Sequence, residues 1–371
     1  MTLFKKRIER VLNVNTLYPK LITPSFILKN SILFPFHYLV KNNGSAPPIL
    51  GMDLKLTRRC NGKCEFCLTE TNNCFNKNEI TTKNITDFIY SFKKQKIAFF
   101  ITGGEPFLRK DLNKIIKAIR LQGSYSGIVS NGILITKKRA DDIIQAGIDT
   151  VLISVHGLEK SHNSILKIKN AYQKSLKSIS YFKRKNGPYL MINAVLNKHL
   201  LNEYKEFIDT AIVSGVDWLR FSIPSFIYPN EYLADKKATK KIFGKSIKNV
   251  QCVTNENPLG QNSIPKLLAL KKYISKIKSL KISFYPNLTT KEIKDRNKIP
   301  FTTKRKCIIP FTSTFISEEG EVYPCQFYCQ SMGNVNTTNF NIIWNSAKYK
   351  KFRKVIKKKL LPGCARCIKP I

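Results

Sequence analysis

Residues 51–67 read GMDLKLTRRCNGKCEFC. A short strand, Gly51–Thr57, runs straight into three cysteines, Cys60, Cys64 and Cys67, at C-x3-C-x2-C spacing. Three thiolates on one short loop suit a soft metal centre. Zinc in a structural site takes four protein ligands, and the nearest further thiol, Cys74, lies seven residues on. Iron–sulfur clusters are held by thiolates, and three thiolates on a four-iron cluster leave one iron open to a ligand. Spacing alone ranks iron–sulfur above zinc and leaves both open.

Beyond this loop the chain alternates apolar strands with helical stretches. The further candidate strands are Ile97–Thr102, Gly127–Ser130, Thr150–Val155, Leu190–Leu196 and Trp218–Ile223. Helical stretches such as Asp111–Leu121 and Ala140–Ala146 lie between them. Six strands alternating with helices read as parallel βα units of an α/β fold. Such folds place their sites just beyond the strand ends. The second strand ends in Gly103-Gly104-Glu105-Pro106, where two glycines allow close backbone approach and Glu105 supplies an acceptor.

C-x3-C-x2-C after the first strand and GGEP after the second together resemble the radical S-adenosylmethionine (SAM) superfamily, over about residues 51–228. Phe66 matches that family's aromatic position before the third cysteine. Ser130-Asn131-Gly132 after the third strand and Ser154-Val155-His156-Gly157 at the end of the fourth are softer matches. His156 stands where the related enzymes carry Asp, and reads as a hydrogen-bonded loop residue.

The resemblance implies a partial (β/α)6 TIM-like barrel with a small C-terminal cluster-binding domain. It implies that Cys60, Cys64 and Cys67 hold a 4Fe–4S cluster whose open iron binds SAM. Phe66, Gly103, Gly104, Glu105, Ser130 and Ser154 then border SAM, with Ser154 at the ribose and Leu219 near the adenine. Reductive cleavage of SAM would give a 5′-deoxyadenosyl radical that abstracts a hydrogen from the substrate. Peptide or protein modification is the first reading of that substrate. Lipid or small-molecule modification at a membrane surface is the alternative.

The last 65 residues hold five of the ten cysteines. Cys307, Cys325, Cys364 and Cys367 could bind zinc or a second iron–sulfur cluster. Gly320-Glu-Val-Tyr-Pro-Cys325, Ile343-Trp344-Asn345-Ser346 and Leu361-Pro362-Gly363-Cys364-Ala-Arg-Cys367 resemble the SPASM/twitch extension of radical SAM enzymes. That resemblance implies an auxiliary 4Fe–4S cluster, fully ligated by four cysteines and suited to electron transfer. Cys74 and Cys252 read as spare buried cysteines, and so does Cys329, with an alternative ligand or a substrate-side thiol as its other readings.

The chain has 371 residues, 43% of them hydrophobic, which excludes a disordered protein. Its formal net charge is +40, from 64 Lys and Arg against 24 Asp and Glu. Abundant Lys, Asn and Ile fit A/T-rich codons, and an anionic partner is the functional alternative. Residues 231–306 carry 19 basic and 5 acidic side chains, a denser excess than the 28 and 15 of residues 51–230. Lys348–Lys359 has eight basic residues among twelve, with Tyr349, Phe352 and Ile356 on one helical face and the rest read as solvated.

Phe4, Ile8, Val11 and Leu12 suggest a basic amphipathic helix in a lead segment, 1–50. Phe26–Val40 is too short to span a bilayer and no signal peptide is visible, so a cytoplasmic enzyme, peripheral to membrane at most, is expected. The expected organisation is the lead segment, a radical SAM core at 51–230, a basic connector at 231–306 and an auxiliary cluster domain at 307–371. Expected partners are a flavodoxin- or ferredoxin-type electron donor, a peptide or protein substrate and an anionic membrane surface. The aromatic residues form no RNA-binding signature. A non-enzymatic zinc protein that binds nucleic acid is the competing class; it leaves GGEP and Ser154 unexplained.

Overall fold

The protein is described by a computed structural model that covers residues 33, 36–41, 43–67, 79–92, 95–260, 262–299, 301 and 305–367. The expected lead helix, most of Phe26–Val40 and Cys74 lie outside the described residues.

Six strands lie side by side in chain order, each parallel to the next: β1 (Gly51–Lys55), β2 (Ala98–Thr102), β3 (Tyr125–Ser130), β4 (Thr150–Ser154), β5 (Tyr189–Val195) and β6 (Trp218–Ser222). All six coincide with the candidate strands to within two residues. Helices α1 (Thr82–Tyr90), α2 (Leu112–Leu121), α3 (Lys137–Gln145), α4 (Glu159–Leu166), α5 (Ala171–Phe182) and α6 (Leu200–Val213) connect them. α2 shows why these stretches are helical. Leu112, Ile115, Ile116 and Ile119 recur at helical spacing and are buried, while Asn113, Lys114, Lys117 and Arg120 face water. The result is an α/β fold, the partial barrel that the family resemblance implies.

The sheet does not stop at the edges suggested by composition. β7 (Phe226–Ile227) and β8 (Cys252–Val253) form a separate pair. Helix α7 (Pro229–Phe243) lies between them, α8 (Ser263–Ile274) follows, and then β9 (Lys281–Tyr285) pairs in parallel with β6. β10 (Ser313–Ile316) pairs in parallel with β1, and β11 (Val322–Tyr323) runs antiparallel to β10. The lysine-rich segment and the cysteine-rich tail thus each add strands to one nine-stranded sheet.

Register decides which side chains see the barrel interior, because neighbours in a parallel pair face the same way and successive residues face opposite ways. Leu152, Met191 and Trp218 are register partners on β4, β5 and β6 and form one buried cluster with Phe100 and Val129. These side chains fill the lower barrel. Two residues further along the strands, Ser154, Asn193 and Arg220 are partners in the same phase, and polar groups replace the apolar plug.

The basic helix (Ala347–Lys358) buries Tyr349, Phe352 and Ile356 as its spacing requires. It also buries Arg353, which the sequence reading placed on the solvated face. Its guanidinium lies 4.1 Å from the ring centroids of both Trp344 and Tyr349 and donates to the Pro310 carbonyl at 2.6 Å. Aromatic faces and carbonyl acceptors replace water around the charge.

Candidate active site

The cysteine loop leaves β1 and is fastened on every side by the ends of other strands and helices. The Lys63 N–H donates to the Leu166 carbonyl at 3.1 Å, and Asn131 Nδ2 donates to Asn61 Oδ1 at 2.7 Å. Cys64 and Phe66 pack against Ile165, Leu166 and Ala171. Cys60 and Cys64 are half-buried and Cys67 is exposed. Burial pushes the Cys60 thiol up to about 11 and Cys64 up to about 12, and in both cases the nearby Cys67 thiol adds to the rise. Two thiols that resist becoming thiolates beside a third are a donor set that a cationic centre stabilises.

The two glycines of GGEP answer to the protein backbone. A Cβ at Gly104 would stand 2.1 Å from the Arg59 carbonyl oxygen, and one at Gly103 2.6 Å from that of Thr57. The Gly104 and Glu105 N–H groups donate to those two carbonyls, Thr57 and Arg59, each at 2.8 Å. The second strand is therefore stitched directly to the segment that launches Cys60. The glycines serve this contact first, whatever ligand lies beyond.

Glu105 is buried and its carboxylate is committed inward. Oε1 accepts from Ser130 Oγ at 2.8 Å and from the Phe107 N–H at 3.1 Å; Oε2 accepts from the Asn131 N–H at 2.9 Å. Burial raises its pKa, against the pull of these hydrogen bonds. Glu105 and Ser130 thus tie the ends of β2 and β3 together. Both were expected to touch SAM; these side-chain hydrogen bonds run to the protein.

His156 is buried and Phe66 packs on it. Its Nδ1 accepts from the Val195 N–H at 3.1 Å, and its own N–H donates to His162 Nδ1 at 3.0 Å. This is the hydrogen-bonded loop residue that the sequence reading expected. Burial lowers its pKa well below the usual histidine value, so the ring is neutral. Ser154 shares the interior phase of Asn193. Leu219 does not: it lies one residue out of phase with Arg220, fully buried in the main core, and is not among the residues that line the interior cavity. The Leu219 side chain thus packs into the core, and the cavity is lined on this strand by Arg220 and Ser222.

A cavity of about 580 Å³ opens above the barrel plug. Lys55, Thr102, Asn193, Arg220 and Tyr285 line it from the strands, while Tyr323, Cys325, Tyr328 and Cys329 close it from the C-terminal segment. Cys329 is exposed and lines this cavity, and Cys252 is also exposed, so neither is the buried spare expected of it.

Cys307, Cys325, Cys364 and Cys367 line one second, smaller cavity together with Gln251 and Tyr328. Burial, then the neighbouring thiols of Cys307, Cys367 and Cys325, push the Cys364 thiol well above its usual range. Cys325 and Tyr328 belong to both cavities, so the two sites share a wall. Among the described residues no three Cys, His, Asp or Glu side chains stand ready as a preformed metal group. The fit rests on the donor sets, three thiols and four thiols, each gathered in one place.

Several residues that build the four-thiol site carried no sequence signal. Asp235 on α7 is buried and accepts from Tyr328 Oη at 2.6 Å and from the Gly363 N–H at 2.8 Å. Arg366, between Cys364 and Cys367, is buried; it pairs with Glu231 and donates through Nε to the Arg296 carbonyl at 2.8 Å. Its place inside C-x2-C is a signal that could have been read. Asp235, Glu231 and Arg296 lie in the lysine-rich segment, which therefore supports the second metal site rather than merely connecting domains.

Residues 54–211 match the model of the Radical SAM superfamily, and residues 307–368 match SPASM, an iron–sulfur cluster-binding domain. The Fe-coproporphyrin III synthase of Methanosarcina barkeri is 29% identical over 175 residues, 46% of this chain and 43% of that protein. The PqqA peptide cyclase of Bradyrhizobium diazoefficiens is 27% identical over 174 residues, 46% of this chain and 45% of that protein. The matched stretch spans less than half the length of either relative. Streptococcus suis SuiB, in the crystal structure bound to precursor peptide SuiA, shares the fold with a TM-score of 0.62 at 19% identity, over 94% of this chain and 78% of that one.

Proposed function

Because the chain belongs to the radical SAM superfamily and carries a SPASM iron–sulfur domain, we propose that it modifies a peptide or protein by abstracting a hydrogen from one of its residues. It is an enzyme whose cofactors are SAM, a 4Fe–4S cluster and auxiliary iron–sulfur ligation in the C-terminal domain. The bound cluster and SAM supply a 5′-deoxyadenosyl radical, the agent of hydrogen abstraction.

The chain's own residues do the rest. Cys60, Cys64 and Cys67 are the ligands at the SAM-binding cluster, and Cys307, Cys325, Cys364 and Cys367 those at the auxiliary one. GGEP, Asn131 and Leu166 hold the first loop at the strand ends. Ser154 presents its hydroxyl to the barrel interior. The lower plug of Leu152, Met191 and Trp218 keeps water from entering from below. The shared wall at Cys325 and Tyr328 sets the auxiliary centre beside the substrate cavity, a place suited to electron transfer.

The observation that carries the peptide reading is the cavity of about 580 Å³, lined by both polar and apolar side chains and large enough for a residue of an extended chain. The names of the PqqA peptide cyclase and of the SuiA-bound structure support it. The coproporphyrin synthase match covers a similar share of the chain and supports common radical chemistry. Electrons would come from a flavodoxin- or ferredoxin-type donor.

The test is anaerobic purification, metal analysis and incubation with SAM and reductant, followed by mass spectrometry of peptides encoded beside the gene. About eight irons per chain, 5′-deoxyadenosine and a mass change in one peptide are expected. Two zincs and no SAM cleavage would overturn the assignment.

A further inference from the structure

The charge of the barrel cavity points to the chemistry of what enters it. Its wall carries four cations, Lys55, Arg58, Arg220 and Lys248, against two carboxylates, Asp53 and Glu318. Glu318 is fully buried and already engaged: Lys55 Nζ stands 3.4 Å away and Arg58 pairs with it as well. The wall therefore keeps an excess of positive charge in a space walled by protein, where each charge interacts more strongly than in water.

Arg220 is the best organised of these cations. Its Nε donates to Asn193 Oδ1 at 2.8 Å, and Ser222 Oγ donates to the same oxygen at 2.7 Å. The guanidinium lies 5.3 Å from the centroid of the Tyr285 ring. A hydrogen bond at Nε and an aromatic ring alongside fix the plane of the fork, the arrangement with which arginine recognises carboxylates. The cavity wall contains Cys325, Tyr328 and Cys329 but none of Cys60, Cys64 and Cys67. Arg58 and Gly103, at the root of the cysteine loop, line the same wall, so the fork stands in a cavity that reaches from that loop to the auxiliary side.

We propose that this cavity seats a carboxylate of the substrate and that Arg220 selects it. The inference deepens the peptide reading and rests on it. The carboxylate has two sources in a peptide, an acidic side chain or the chain's own C-terminus.

The test uses the full-chain holoenzyme under anaerobic conditions, with saturating SAM so that SAM's own carboxylate is already placed. Saturation-transfer NMR compares acetyl-Gly-Gly-Glu-Gly-Gly amide, its Gln counterpart, the Gln peptide with a free C-terminus, and glutarate. The Glu peptide or the free-acid peptide is expected to bind about tenfold or more tightly than the Gln amide, and whichever does names the source. Arg220→Gln is expected to erase the preference and Arg220→Lys to keep part of it. Glutarate binding as tightly as the best peptide supports the carboxylate site while counting against the peptide reading. Equal binding of all three peptides overturns the inference and leaves the peptide reading standing. So does a preference that persists in Arg220→Gln, or one that disappears when SAM is added. Should Arg220→Gln fail to fold, the wild-type comparison decides alone.

Discussion

The ring of Phe66 meets the ring of His156 edge-on, with centroids 4.9 Å apart and planes at 87°. One residue belongs to the cysteine loop and the other follows β4, so this contact joins the first metal site to the barrel. His156 is itself held by the Val195 N–H, and its carbonyl accepts from Asn197 Nδ2 at 2.8 Å. The histidine that replaces the family's usual aspartate thus works as an anchor for the loop rather than as a polar group offered to substrate.

Phe66→Ala removes that aromatic pair, worth about 0.5–1.5 kcal/mol beyond area burial. The expected result is a first cluster that is lost more readily, with the auxiliary cluster retained. Iron analysis after gel filtration should then give about four irons per chain instead of about eight. Phe66→Tyr, which keeps the ring, should hold the full complement. Equal iron in the Ala variant and wild type would show that the pair does not steady the loop.

Gly104→Ala tests the stitching of β2 to the cysteine loop. The new methyl would stand 2.1 Å from the Arg59 carbonyl oxygen, a backbone atom that cannot rotate aside. Overpacking of this kind costs about 1–3 kcal/mol. A lower melting temperature and loss of 5′-deoxyadenosine formation are expected together, because the displaced segment leads directly into Cys60. An active variant of normal stability would count against the contact.

Glu292 carries a pH dependence whose sign is fixed by its partner. Its carboxylate accepts from the Thr289 N–H at 2.8 Å and from Arg305 Nη2 at 2.7 Å, which ties a helix start to the strand of chain just before Cys307. Hydrogen bonding to Arg305 holds its pKa down at about 2, from the ordinary 4.5. A depressed carboxylate stabilises the fold fully above its unfolded pKa and loses that contribution as pH falls toward the folded one. Glu292→Gln should therefore melt lower than wild type at neutral pH. The difference should shrink between about pH 4.5 and pH 2. A gap that stays constant across that window would mean that the charge is not what matters.

The six barrel strands are legible in the sequence because each is a short apolar run bounded by polar stretches, and the cysteine spacing needs no tertiary context. β9 is not legible in the same way. Lys281–Tyr285 lies in the lysine-rich segment, and its strand identity depends on finding the free edge of β6. Arg353 is one basic residue among eight in Lys348–Lys359. Only the fold brings Trp344, Tyr349 and the Pro310 carbonyl around it. Leu219 shows a different limit: the strand is legible, but which residues of it face the cavity depends on one residue of phase, and Arg220 and Ser222 rather than Leu219 line it. Asp235 was invisible because its partners, Tyr328 and Gly363, are distant in sequence.

The division of labour between the two metal sites gives the last prediction. Cys60 belongs to the loop fastened by the strand ends, and Cys325 to the wall that the auxiliary cavity shares with the barrel cavity. Cys60→Ala removes one of only three ligands and should abolish SAM cleavage. Cys325→Ala leaves the first loop untouched, so 5′-deoxyadenosine should still form on reduction with dithionite. What the Cys325 variant should lose is the modified peptide, because both the auxiliary centre and one wall of the substrate cavity are disturbed. Measuring 5′-deoxyadenosine and product in the same reaction separates the two effects. If both variants abolish SAM cleavage equally while the Cys325 variant keeps its melting temperature, the auxiliary site is needed for SAM cleavage itself, and the division of labour between the two sites fails.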